Sequence, residues 1–231
     1  MNIKKCAVAG KPAPVRRRVL IIDDHVVVRQ GLMHLINLEK DFLVCGEAED
    51  ARTGMDAISR LKPDAVIVDI SLQGMNGVEF IKNARTFHPG LRIVVLSMHD
   101  ESLYAERVLR AGALGYVMKS AASGEIITAL RKALKGELHT SSRAGAILMQ
   151  KFLGRQHPKK GASVDVLSDR ELEIFELIGR GRTSREIAGE LTISIKTVDS
   201  HRMHIKGKLN VRSAPELVQH AVVYVENSAA G

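Results

Sequence analysis

Five polar residues stand out because each follows a short apolar run. Asp23 and Asp24 follow residues 19–22, Asp69 follows 65–68, Ser97 follows 93–96, and Lys119 follows 116–118. Three carboxylates gathered in one crevice cannot all stay ionised without a cation. An all-oxygen set of this kind suits Mg2+, which keeps several waters and pairs with phosphate oxygens. Lys119 adds a point positive charge, and Ser97 a hydroxyl able to hydrogen-bond an oxyanion. The chemistry these residues describe is the holding of a phosphoryl group against a metal ion.

That chemistry requires the four runs to end at one place. Their apolarity is continuous rather than alternating, which predicts strands buried on both faces of a parallel sheet. A fifth run lies at 42–46, and the stretches between runs carry helical periodicity, as at Val78, Ile81 and Ala84 with Phe80 flanking. The last of these helices is predicted near 123–135. The economical fold is a doubly wound α/β domain. In such a sheet ligands bind beyond the carboxyl ends of the strands, so residues that follow different strands converge.

A second unit is legible downstream. Residues 139–153, with Ala144, Ile147, Leu148 and Phe152, predict one amphipathic helix, and 154–163 reads as a linker rich in Gly, Pro and charge. His139 and His157 have no ligand-spaced partner in this stretch and are expected to be solvated. From Leu167 onward Ser168 with Glu171, Thr183 with Glu186, and Ser213 with Glu216 each fit a capping box, and Ser194 is a further N-cap. Four helices follow, near 169–179, 184–191, 195–208 and 214–226. Thr192, Ile193 and Ser194 alone separate the middle two, a helix-turn-helix spacing. One face of the third helix carries Lys196, Asp199, Ser200, Met203 and Lys206, with Arg202, Lys208 and Arg212 flanking. Between 196 and 212 five Lys/Arg meet one Asp. A basic, polar helix face held by a short turn is the geometry that enters the major groove of double-stranded DNA. Asp199 is expected to pair with Lys196 or Arg202 at helical spacing.

Composition narrows the classes. Aromatics make up 3% of the 231 residues and Trp is absent, which argues against binding by stacking on aromatic platforms. Much of the net charge of +8 sits in residues 1–18, with six Lys/Arg and no acid; residues 155–231 hold twelve Lys/Arg against ten acids. A basic head of this kind, residues 1–16, is expected to be a disordered tail. No apolar run reaches membrane-spanning length and the polar start does not fit a signal peptide. A cytoplasmic protein with no membrane partner is expected. Cys6 and Cys45 make no disulfide framework, and Cys45 reads as a small buried apolar residue.

Residues 17–137 resemble the receiver domain of two-component response regulators, a flavodoxin-like fold. The resemblance is carried by Asp23-Asp24, by the stretch from Asp69 through Ser71, Met75, Asn76 and Gly77, by Ser97, and by Ala111-Gly112-Ala113-Leu114-Gly115-Tyr116-Val117-Met118-Lys119. Residues 165–227, after a connecting helix and linker at 138–164, resemble the small all-α LuxR-type helix-turn-helix of the NarL/FixJ regulators. There the matching residues are Leu167, Ser168, Arg170, Glu171, Glu173, Glu186, Ile187, Ala188, Leu191, Ser194, Lys196, Thr197, Val198, His201, Lys208 and Leu209. The resemblance implies that a sensor histidine kinase phosphorylates Asp69. It implies Mg2+ on Asp23, Asp24, Asp69 and the Ser71 carbonyl, with Asp23 acting through the ion's water shell. Ser97 and Tyr116 would form a switch pair, the hydroxyl moving to the phosphoryl group and the ring swinging inward, and Lys119 would couple the phosphoryl group to the output. It assigns Lys196, Thr197, Arg202 and Lys206 mainly to DNA phosphates, and Asp199, Ser200 and Met203 to base edges, with a homodimer forming on phosphorylation. Gln73, Ser120 and Val26 stand where relatives often have proline, which removes no chemical group the mechanism needs.

Two other readings share these residues. A phosphatase using Asp69 as nucleophile needs a second acid nearby, and two residues after Asp69 stands Ser71. A regulator acting by protein contact would carry a helix-turn-helix that no longer binds DNA, and a salt-dependent gel shift separates it from a DNA binder. The chain therefore reads as a phosphorylation-controlled regulator of transcription rather than an enzyme.

Overall fold

The computed structural model describes residues 16–72, 75–99, 101–121, 123–152 and 164–229. The basic head up to residue 15, the linker stretch 153–163 and His157 within it lie outside these. Arg16, the last residue of the head, donates to the carbonyls of Asn37 and Glu39 at 3.3 and 3.2 Å.

The apolar runs form β1 (Arg17–Ile22), β2 (Phe42–Ala48), β3 (Ala65–Asp69), β4 (Arg92–Ser97) and β5 (Gly115–Met118). They pair in parallel in the order β2-β1-β3-β4-β5. β3 is buried along its whole length, as continuous apolarity requires. Strand order reverses between β1 and β3, and the acids follow those two adjacent strands. This is the topological switch point at which open α/β sheets bind ligands.

Alternate side chains of the strands feed two cores. Val19, Ile21, Ile67, Val94 and Leu96 pack with α1 (Val26–Leu38) and α5 (Ser123–Lys135). Leu20, Ile22, Val66, Val68, Ile93 and Val95 pack with α2 (Ala51–Leu61), α3 (Gly77–Phe87) and α4 (Glu101–Ala111). Asp50 caps α2 by accepting from the Thr53 amide at 2.7 Å, and Asn76 caps α3 by accepting from Val78 at 2.9 Å.

Two expectations change here. Cys45 is half-buried: the β1–β2 register slips between Val19 and Leu20, leaving Cys45 unpaired in a bulge on an edge strand. His139 is not solvated. It is buried, its N–H donates to the Leu114 carbonyl at 2.8 Å, and its carbonyl accepts from Tyr116 at 3.0 Å, so it extends the free edge of β5.

Beyond α6 (Ser142–Phe152) come a short turn of helix (Val164–Val166), α7 (Asp169–Gly179), α8 (Ser184–Glu190), α9 (Ile195–Leu209) and α10 (Ala214–Ala229). Complete capping boxes start α7 and α8, and Ser194 caps α9 by accepting from Thr197 at 3.0 Å. The third box is only half made: Ser213 accepts from the Glu216 amide, but the Glu216 carboxylate takes the Arg212 N–H at 2.8 Å. Gly179 lets α7 and α10 meet, since a Cβ there would lie 2.4 Å from the Ala221 carbonyl oxygen.

Candidate phosphoryl site, its link to α7 and the DNA-facing helix

Asp23 and Asp69 are buried at the ends of β1 and β3, with Asp24 beside them. Lys119 reaches both buried acids, its Nζ 2.6 Å from Asp69 Oδ2 and 2.8 Å from Asp23 Oδ2. Burial works against the lysine's charge, yet the Asp69 and Asp23 carboxylates outweigh it and hold the ammonium above its usual range. Burial pushes the Asp69 carboxyl up, and the neighbouring Asp23 adds to this against the pull of Lys119. One lysine faces three carboxylates, so the pocket is built for further positive charge.

The donor set fits a divalent cation. One oxygen from each of Asp23, Asp24 and Asp69 and a ring nitrogen of His25 all lie within 4.8 Å of one another. Asp23 Oδ2 and Asp24 Oδ1 are buried with ion-pair neighbours, Lys119 and His25, but no well-directed hydrogen bond. His25, absent from the sequence expectation, sits with Nδ1 2.6 Å from Asp24; its side chain is 63% exposed and free to swing out. Ser71 lies against Asp69, its amide donating to Oδ1 at 3.2 Å. The loop is held close by Gly77, whose N–H donates to the Ile70 carbonyl at 2.8 Å.

His99, two residues beyond β4, gathers the pocket's outer contacts. Its amide donates to Ser97 Oγ at 2.9 Å, and its carbonyl accepts from the Tyr116 hydroxyl at 2.9 Å. Its Nε2 meets Ser71 Oγ at 2.9 Å, and its Nδ1 meets Glu176 Oε2 of α7 at 2.9 Å. Tyr116 is buried, with its hydroxyl held on the His99 carbonyl. The Lys119–Ser120 peptide is trans.

Glu176 opens a polar interface between the two units. Tyr104 donates to it at 3.1 Å and Arg180 pairs with its other oxygen. Burial opposes the Glu176 charge, but His99, Arg180 and Tyr104 together hold its carboxyl below the usual glutamate range. One turn earlier Glu173 pairs with Arg170 at 2.7 Å and accepts from Asn76 Nδ2 at 3.2 Å. Arg107 of α4 bonds the Leu167 and Val164 carbonyls and Asp169, and Lys82 of α3 adds a second pair to Asp169. The α2–α3–α4 core runs continuously into the core of α7–α10. Sequence reasoning missed this surface, although Glu173 and Glu176 sit one turn apart in a helix buried from 171 to 178.

The basic face of α9 is not part of that interface. Lys196, Asp199, Ser200, Arg202, Met203 and Lys206 line one groove with the start of α10, and Met203 is 62% exposed. Thr197 stands at the N-terminus of α9, its hydroxyl 2.7 Å from that of Ser194. The expected ion pair of Asp199 is not formed. Its carboxylate accepts from the Ser184 hydroxyl of α8 at 3.0 Å, and Arg202 reaches the same hydroxyl only at 3.5 Å.

Comparison with known proteins agrees with this architecture. Residues 19–131 match the response regulator receiver domain and residues 165–221 match the bacterial regulatory proteins of the luxR family. The oxygen regulatory protein NreC of Staphylococcus haemolyticus is 35% identical over 209 residues, 89% of this chain and 96% of the relative. The chain belongs to the LuxR-type response regulators. Among solved structures, RcsB of Salmonella enterica serovar Typhimurium bound to promoter P1flhDC with the phosphomimetic BeF3- has a TM-score of 0.61 at 28% identity. It covers 89% of this chain and 98% of RcsB. A LuxR-family response regulator from Aurantimonas sp. SI85-9A1 matches at 30% identity with a TM-score of 0.56, covering 60% of this chain and 99% of the other. The protein is therefore a transcription regulator whose DNA binding is under phosphorylation control, not an enzyme. Receiver domains generally bind Mg2+ in an acidic pocket, and this chain carries the acidic cluster. No helix among the described residues is long and apolar enough to cross a membrane.

Proposed function

We propose that phosphorylation of Asp69 by a sensor histidine kinase weakens the hold of the receiver on α7, freeing the helix-turn-helix to bind DNA as part of a homodimer. The observation that carries this is His99, which contacts Ser97, Ser71 and Tyr116 on the pocket side and Glu176 on the other.

In the transfer step an Asp69 oxygen attacks the phosphorus of a phosphohistidine. An O–P bond forms, the N–P bond breaks, and the departing imidazole takes a proton from solvent. Asp23, Asp24, Asp69 and the Ser71 carbonyl would hold Mg2+, which when bound neutralises the acids and the incoming phosphoryl oxygens. Lys119, already on Asp69, is placed to follow the new charge.

Ser97 is the moving part. Its Oγ now accepts from the His99 amide; turned to donate to the phosphoryl group, it gives up that contact and loosens the His99 backbone. Buried ion pairs return roughly what their desolvation costs. An interface built on Glu173 and Glu176 is thus specific yet weak enough to be reversed. Because docking leaves the α9 groove open, control acts on the freedom of two copies to present paired helices at half-site spacing. Lys196, Thr197, Arg202 and Lys206 would contact phosphates, with Asp199, Ser200 and Met203 at base edges.

Gel shifts at several salt concentrations test this reading, with and without acetyl phosphate and Mg2+. Phosphorylation should tighten binding in the parent chain and leave Asp69→Asn unchanged. Equal tightening in Asp69→Asn would refute it.

A further inference from the structure

A second set of ligands lies far in sequence from the receiver acids. On α9 His201 and His204 are one turn apart, and Glu171 faces them from α7. Ligand atoms from the three residues all lie within 4.8 Å of one another. His201 Nδ1 is buried and lacks a hydrogen-bond partner, an arrangement native interiors rarely leave unexplained. From the sequence His201 alone reads as a packed helix histidine; His204 one turn on and Glu171 of the neighbouring α7 change its meaning.

We propose that Glu171, His201 and His204 form a site for a zinc-class transition-metal ion that clips α7 to α9. Two imidazoles and a carboxylate suit Zn2+ or Co2+ rather than Mg2+, and three protein ligands leave a position for water. His204 is exposed, so the ion has a path from solvent. Burial, with Arg170 nearby, pushes the His201 ring below its usual value. Burial raises the cost of charge on Glu171, but Lys208 and Ser168 outweigh it and keep the carboxyl below its usual range, and so ionised.

Two cations oppose the ion: Arg170, whose charge acts on His201, and Lys208 on Glu171. Lys208 Nζ lies 2.6 Å from Glu171 Oε2, which also accepts from the Ser168 amide at 2.7 Å. The lysine side chain is 42% exposed and can turn outward. It therefore competes with the metal for Glu171, and removing its charge should tighten the site. Occupancy would join the helix docked on the receiver to the helix that faces DNA.

The test is Zn2+ titration calorimetry on the full chain in excess Mg2+, with Asp24→Asn disabling the receiver pocket. One Zn2+ per chain is expected. His204→Ala, at an exposed position, should weaken it at least about tenfold, a loss that even groups one shell out from a metal can cause. Lys208→Met should bind more tightly. Co2+ spectra and the imidazole NMR signals of His201 and His204 give a readout independent of DNA binding. Absence of saturable binding, unchanged affinity in His204→Ala, or histidine signals unmoved by Zn2+ would each overturn the site.

Discussion

His99 of the receiver and Glu176 of the DNA-binding unit face each other at 2.9 Å, in a contact from which water is nearly excluded. The same imidazole touches Ser71, whose amide touches Asp69. Two side chains and one amide thus separate Asp69, the proposed phosphoryl acceptor, from the helix it would control.

Glu176→Gln should undock the two units without phosphate. A hydrogen bond to a charged group contributes about 1.5–3 kcal/mol, so the docked-to-undocked ratio should fall by roughly ten- to a hundredfold. Fluorescence transfer between dyes on α2 and α10 reads this directly. The unphosphorylated variant should also bind DNA more tightly than the unphosphorylated parent, and unchanged transfer would count against the latch.

Acid should undock the parent as well. The folded-state carboxyl of Glu176, facing His99, Tyr104 and Arg180, lies below its ordinary value of 4.5. Its contribution is complete above that value and is lost as pH falls through the folded pKa. Tyr104 closes the other end. Burial first, then Glu176, raises its hydroxyl well above 10.0, so its contribution is present below that value and lost as pH rises past it. Dye transfer followed from pH 7 downward should show the acid step in the parent and a smaller one in Glu176→Gln.

Gly77→Ala should damage the phosphoryl site from outside it. A Cβ there would lie 2.6 Å from Ile70 Cα and 2.8 Å from the carbonyl oxygens of Asp69 and Ile70. Backbone cannot yield as a side chain tip does, and overpacking of this kind costs about 1–3 kcal/mol. Slower acetyl phosphate labelling and a lower Tm are expected; full labelling at parental Tm would mean the loop is not held this way.

Much of this was legible before the fold. Continuous apolar runs mark buried parallel strands, and residues that follow such strands must meet, so Asp23, Asp69, Ser97 and Lys119 could be placed together. Caps are local chemistry, so Ser168, Thr183 and Ser194 were readable as helix starts. What was not legible depends on packing between distant segments. His99 and Glu176 lie 77 positions apart. The burial of His139 comes from lying along β5, and the bulge at Cys45 is a property of a strand pair.

Asp199 illustrates the same limit, since its partner Ser184 belongs to α8 and not to its own helix. Asp199→Ala frees that hydroxyl and removes a negative charge from the α9 groove. Binding should change nearly uniformly across a panel of single-base operator variants, with tighter non-specific binding. A loss of discrimination of about 1–3 kcal/mol at one C·G pair would instead make Asp199 a base reader.

The most direct test of phosphoryl-controlled undocking is the interdomain distance itself, measured between spin labels on α2 and α10 before and after acetyl phosphate with Mg2+. The parent should move from one short distance to a broad, longer distribution. Asp69→Asn should stay short throughout. Ser97→Ala, which lacks the hydroxyl that accepts from the His99 amide, should already be partly undocked without phosphate and shift little further when labelled. A parent that is fully phosphorylated, binds DNA more tightly and keeps its short distance would contradict the account.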